Sequence, residues 1–231
     1  MGAAVAERAA VMKRAAGTKQ PVSRAAVAAL ALSLAWAPLG AAELLDRVLA
    51  VVSGTVITLS DARASLAFGF VGAEPAGDRI AAAVRWLIDR QLVLDEVLRS
   101  GGEEVDQARV AREMAAIKGR FASEAAFEAE LERLGLGGGR AMAFVRETLE
   151  ARRYVDRRFG ASVEPSEEEL RDYYARHLER FVRDGRQLDF VEAADDVRTA
   201  LQNERREQAV ATWLDRLRRR SSVVEIYRAP R

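Results

Sequence analysis

"LDRVLAVVSGTVITLSDARAS", residues 45–65, decides how the rest of the chain is read. Two β-branched runs, Val48–Val52 and Thr55–Thr58, flank Ser53-Gly54, so the stretch predicts a hairpin closed by a two-residue turn. Thr58-Leu59-Ser60-Asp61 then carries capping side chains for a short helix that ends near Gly69. Nearly everything downstream has helical periodicity. A lone two-stranded hairpin is marginal in water, so a third strand is needed. The other convincing β-type run is residues 223–227, Val-Val-Glu-Ile-Tyr. The expected fold is therefore mostly α, a helical domain with a small three-stranded sheet that joins the N- and C-termini.

The helices are marked by their starts and stops. Asp78 caps a long amphipathic segment in which Ile80, Val84, Leu87, Ile88, Leu92 and Val97 share one face, and Gly101-Gly102 ends it. Asp106 opens a helix with Val110, Met114 and Ile117 on one side. Ser123 opens another, with Phe127, Leu131 and Leu134. A further helix is expected over about 140–158, with Met142, Val145 and Leu149 inward and four arginines in its last turns. In "VEPSEEELRDYYARHLERF", residues 163–181, Pro165 precedes a Ser166 cap and Glu169 completes a capping box. Arg183-Asp184-Gly185-Arg186 breaks the pattern, and a last helix is expected from about Leu188 to Arg220.

Residues 1–42 read as an export leader outside the fold. Arg8, Lys13, Arg14, Lys19 and Arg24 precede an almost uncharged apolar run over 25–39, and Gly40-Ala41-Ala42 offers small residues for cleavage before Glu43. Met12-Lys13-Arg14 would make a more ordinary start than Met1. The apolar run contains Pro38 and falls short of the ~20 residues that span a bilayer, so no stable membrane insertion is expected after cleavage. The expected organisation is a leader, 1–42, and one domain, 43–231, with an N-terminal part over 43–182 and a closing helix and strand over 188–231. Of the chain's 36 Lys+Arg and 35 Asp+Glu, the leader removes five basic residues and Glu7, leaving 31 against 34. A general nucleic-acid binder needs a concentrated basic face, which this balance argues against. It also predicts weak electrostatic steering and little salt dependence of binding. There is no cysteine, which removes disulfides, a lipoprotein anchor and thiol chemistry.

The sequence carries little that looks catalytic. His177, the only histidine, has no second histidine or cysteine to work with, and reads as an exposed helix residue. Glu167-Glu168-Glu169 point in different directions and suit a helix N-terminus. Arg216, Arg218, Arg219 and Arg220 fit either a phosphate-binding patch or a helix C-terminus. Gly137-Gly138-Gly139 has neither the preceding strand nor the following lysine of a phosphate loop. Trp86, Trp213, Tyr173 and Tyr174 are too scattered for a stacking platform. No metal or cofactor is expected, and no catalytic residues.

Four segments taken in order resemble the SurA-like periplasmic chaperones. "DRVLAVVSGTVITLSD" is similar to that family's opening strand–turn–strand–helix, and "LIDRQLVLDEVLRSG" to its second-helix signature. In 163–181, Glu168, Leu170, Tyr173, Tyr174 and Phe181 match the helix that leads into the family's first parvulin-type prolyl isomerase domain. "WLDRLRRRSSVVEIY" is similar to the closing helix and strand. The departure is that Phe181 passes to Leu188 in a handful of residues, where the family carries a parvulin domain of about a hundred. The resemblance thus implies the peptide-binding part without the isomerase: a periplasmic holdase for unfolded or extended polypeptides such as outer-membrane protein precursors. Met114, Ile117, Phe121, Phe127, Leu131, Met142 and Phe144 are the expected walls of its peptide groove, since methionine and phenylalanine on adaptable helices suit promiscuous binding. Core packing is the alternative for each of them. A cell-envelope scaffold with one fixed partner is the second functional reading, and a prolyl isomerase the third.

Overall fold

The computed structural model describes residues 46–72, 77–102, 105–137, 139–160 and 164–229. The expected leader and its cleavage site lie outside the described residues. The hairpin forms from β1 (Val48–Val52) and β2 (Thr55–Thr58), paired antiparallel with Val52 opposite Thr55. Its turn places Ser53 at φ 50° and Gly54 at φ 90°. Positive φ at both central residues is the conformation whose twist matches the flanking strands, and glycine adopts it freely. The third strand, β5 (Val223–Glu225), comes from the other end of the described chain and pairs antiparallel with β1, giving the order β2-β1-β5. It is two residues shorter than the run suggests. Ile226 and Tyr227 nevertheless stay attached, both donating their N–H groups to the Leu49 carbonyl at 2.9 Å.

A bulge at Leu49 lies behind that bifurcated contact. Val48 pairs with Thr58 but Ala50 with Ile57, so one extra residue sits in β1. Strict alternation would send Leu49 and Ala50 to opposite faces. The bulge lets both be buried completely.

Among the described residues, seven α-helices accompany the sheet: α1 (Leu59–Ala67), α2 (Arg79–Ser100), α3 (Gln107–Lys118), α4 (Glu124–Arg133), α5 (Arg140–Phe159), α6 (Glu167–Arg176) and α7 (Phe190–Arg220). All but α5, which follows Gly139 without a side-chain cap, have their starts set by side chains. Thr58 and Asp61 form a capping box on α1, Asp78 accepts from the Ile80 and Ala81 N–H groups, and Ser166 with Glu169 forms the box on α6. α2 is central: it touches α1, α5, α7 and the hairpin, burying Val84, Leu87, Ile88 and Leu92.

The broken pattern after α6 is a miniature hairpin, β3 (Val182–Arg183) and β4 (Arg186–Gln187), turned at Asp184-Gly185 with both residues at positive φ. Leu188 donates its N–H to the Phe181 carbonyl at 3.0 Å, closing the neck beneath it.

Among the described residues, two hydrophobic cores result. The main one gathers β1, β2 and α1 to α5 and takes in Trp213 and Leu217 from the far half of α7. The second holds Leu170, Tyr173, Phe181, Leu188, Ala193, Val197 and Leu201. α7, 31 residues and so about 46 Å long, supplies apolar side chains to both.

His177 belongs to the second core's edge and is not the exposed residue its polar neighbours suggest. It caps α6, its Nδ1 donates to the Tyr173 carbonyl at 2.9 Å, and its ring lies 4.3 Å from the Tyr173 ring. Tyr173 in turn donates to Glu204 on α7 at 2.9 Å and accepts from Arg180 at 2.6 Å. Burial, with Glu204 beside it, raises the pKa of that phenol. His177→Ala is therefore expected to cost about 1 kcal/mol of stability, through the lost hydrogen bond, while leaving ligand binding unchanged. Chemical denaturation and a peptide-binding isotherm on the same variant check both halves.

Candidate functional site

Where α2, α5 and α7 meet, their packing leaves an open trough. Its first hollow, about 340 Å³, is lined by Trp86, Asp89, Arg90 and Val93 of α2, Thr148, Ala151, Arg152, Val155 and Asp156 of α5, and Arg206 and Leu214 of α7. A second hollow of the same volume continues along α7 past Asn203, Glu207, Val210 and Ala211. The two share Val155, Arg206 and Leu214 and so form one groove. Its apolar floor comes from the flanks of three amphipathic helices. Each stripe is wider than its core contact, and the surplus of each, at Trp86, Val155 and Leu214, is left half-buried beside the others.

Trp86, Arg90 and Arg152 form one wall, backed by the buried rings of Phe70 and Phe144. Arg90 lies 4.5 Å over Phe144 and 5.9 Å from the Trp86 ring. Trp86 is stacked on Phe70 at 5.8 Å with the planes 6° apart, and Arg152 caps Phe70 at 5.0 Å. Such contacts hold flat surfaces rigid while leaving their edges free for a ligand. The Arg90 side chain is only 8% exposed and is held by Glu147 at 2.5 Å. Burial pulls its pKa down, and the neighbouring carboxylate opposes this. Asp89 bonds to Arg218 at 2.7 Å, yet burial outweighs that cation and holds its pKa above the ordinary carboxylate value. Arg206 is paired with Asp156 across the trough. Among the described residues, the Nε atoms of Arg90 and Arg206 are buried without a hydrogen-bond partner.

This arrangement suits non-covalent binding of an apolar segment: a broad greasy floor, rigid aromatic edges and a few polar groups along the rim.

None of the seven expected groove residues lines the trough. Ile117, Phe127, Leu131 and Phe144 are buried in the main core, at 0%, 3%, 9% and 6% exposure, so they do not form an open wall. Met114, Phe121 and Met142 are half-buried and packed against the same core. For Met114, Ile117, Phe127 and Leu131 the reason is geometric, since α3 and α4 are short and their single apolar stripes are consumed by packing; Met142 and Phe144 lie in the first turns of α5, packed against the main core. The trough residues carry a signal only in hindsight, as apolar positions flanking the stripes of α2, α5 and α7.

Among the described residues, no helix is long and apolar enough to cross a membrane. No protein-family model matches the chain. No curated protein matches it either. Among solved structures, the chain is similar to one from Campylobacter jejuni, described with the virulence factor PEB4 and the periplasmic protein Cj1289 as two structurally related SurA-like chaperones. The identity is 10% over 79% of this chain and 100% of that chain, with a TM-score of 0.48, a distant likeness.

Proposed function

We propose that this chain is a chaperone-like holdase that binds unfolded or extended polypeptides in the trough between α2, α5 and α7. The observation that carries the reading is the trough itself: two joined hollows, apolar along the floor and open to solvent, built from rigid helices. Such a surface grips a segment through its apolar side chains and places no demand on its sequence, as a binder of many clients requires. The ordered resemblance of four sequence segments to SurA-like chaperones supports the same reading. From that resemblance come the finer parts of the proposal: action in the periplasm after export, outer-membrane protein precursors as clients, and no prolyl isomerase activity.

Aggregation of several unrelated clients, followed by light scattering, tests it. Near-stoichiometric amounts of the protein are expected to suppress scattering for all of them. Val210→Asp with Ala211→Glu places charge in the trough at positions outside both cores. This variant should bind clients roughly tenfold more weakly, about 1.4 kcal/mol, with its melting temperature nearly unchanged. A protein that protects none of the clients but captures one fixed partner would be a scaffold, and the holdase reading would fail.

A further inference from the structure

The charge of this protein is balanced in total but not in place. Four arginines, Arg99 and the three that line a small pocket of about 180 Å³, gather at the C-terminal ends of α2, α5 and α7 around a single carboxylate. Arg158, Arg216 and Arg220 line that pocket together with Glu96, over a floor of buried Trp213 and Leu217. Glu96 is already held twice, by Arg99 at 2.9 Å and by Arg220. Arg158 lies 5.5 Å over the Trp213 ring, and neither it nor Arg216 has a carboxylate partner among the described residues. A helix C-terminus accounts for a cation or two on its own last turn. It does not account for arginines of different helices converging on one depression.

The pocket also borders the trough, through lining residues one helical turn apart. Val93 lines one and Glu96 the other, three residues and so about 4.5 Å apart along the α2 axis. On α5 the step is from Val155 to Arg158, and on α7 from Leu214 to Leu217, each again three residues and so neighbours on the helix surface. An extended peptide advances about 3.3 Å per residue, so a chain lying in the trough reaches the arginines within a few residues.

We infer that this pocket takes a carboxylate of the bound client, so that the preferred ligand is an apolar segment followed within about two to four residues by an acidic side chain or a free C-terminus. The inference rests on the holdase reading of the trough. Guanidinium groups bind carboxylates with paired, charge-assisted hydrogen bonds, and Arg158 and Arg216 are the two free to do so. Acidic clients should then show salt dependence, although the balanced overall charge predicts little.

Two fluorescent peptides decide it. Both carry the same apolar segment; one ends in aspartates and a free carboxyl, the other in asparagines and an amide. Anisotropy should show the acidic peptide bound roughly tenfold more tightly at about 0.1 M salt, the gap closing near 1 M. Arg158→Gln with Arg216→Gln should abolish the gap and leave the amide peptide's affinity unchanged. Arg216→Gln alone, at an exposed position, should narrow it. Equal affinities for the unaltered protein, or a gap that persists in the double variant, would overturn the inference while leaving the holdase reading intact. Failure of both peptides to bind would overturn both. Vesicles containing phosphatidylglycerol provide the remaining arm. Their capture, lost in the double variant and without peptide discrimination, would reassign the pocket to a lipid surface.

Discussion

Deleting residues 221–231 is expected to lower the melting temperature by about 10–20 °C. β5 is the second partner of the central strand, and without it β1 and β2 revert to a two-stranded hairpin. The lost contacts can be named. Ser222 accepts from the Ser53 N–H at 2.8 Å, beside the turn. The Ile226 and Tyr227 N–H groups cap the Leu49 bulge, and the Tyr227 hydroxyl donates to Asp78 at 2.8 Å, where that carboxylate also starts α2. Val223 and Tyr227 pack on the main core. At about 1 kcal/mol per hydrogen bond and about 1.5 kcal/mol per half-buried side chain, the loss is roughly 5 kcal/mol or more. Each kcal/mol is worth about 2–4 °C in a protein of this size. Thermal unfolding followed by circular dichroism measures the shift. Val224→Asp, on the outer face at 54% exposure, is the control and should change little. A truncated protein that melts within ~2 °C of the full chain would show that the sheet does not hold the ends together.

Phe121→Ser with Phe127→Ser should unfold the protein before it weakens binding. The two rings meet edge to face at 5.2 Å, with Phe127 buried and Phe121 packed against the main core. Removing a buried phenylalanine costs about 3–5 kcal/mol, and the serine hydroxyl at 127 adds the burden of a buried polar group. Urea unfolding should show a midpoint collapse, while any folded fraction keeps its peptide affinity. A stable double variant with weakened binding would return these residues to the groove and remove the assignment made from the trough.

The caps of α1, α2 and α6 and the opening hairpin were legible in the sequence because each is decided within a few residues. So was the pairing of the two ends, since a hairpin short of a partner and one remaining β-type run leave little choice. The Leu49 bulge was not, because it depends on what β5 brings to the other side of β1. The small hairpin at Asp184-Gly185 carried its turn signal, but strands of two residues give no alternation to read. The trough was illegible for a stronger reason. Trp86, Val155 and Val210 are far apart in the chain, and whether an apolar side chain is core or surface depends on which neighbours cover it. Arg158 was an unremarkable helix-end residue, and for Arg216 the sequence offered an anion patch and a helix terminus equally, until the two helices are brought together.

The neck at Phe181 and Leu188 has a consequence for chain length. The Leu188 N–H and the Gln187 side-chain amide both donate to the Phe181 carbonyl and bring the outgoing and returning chain together, while the hairpin beyond is tied to α7 by surface ion pairs, Arg183 to Asp196 and Arg186 to Glu192. Six residues fill the place here. A longer excursion could leave and re-enter through the same gap at small cost, because the cost of a longer loop grows only slowly with its length. Length can thus be added or removed at this one position while the packing of α2, α5 and α7 stays as it is.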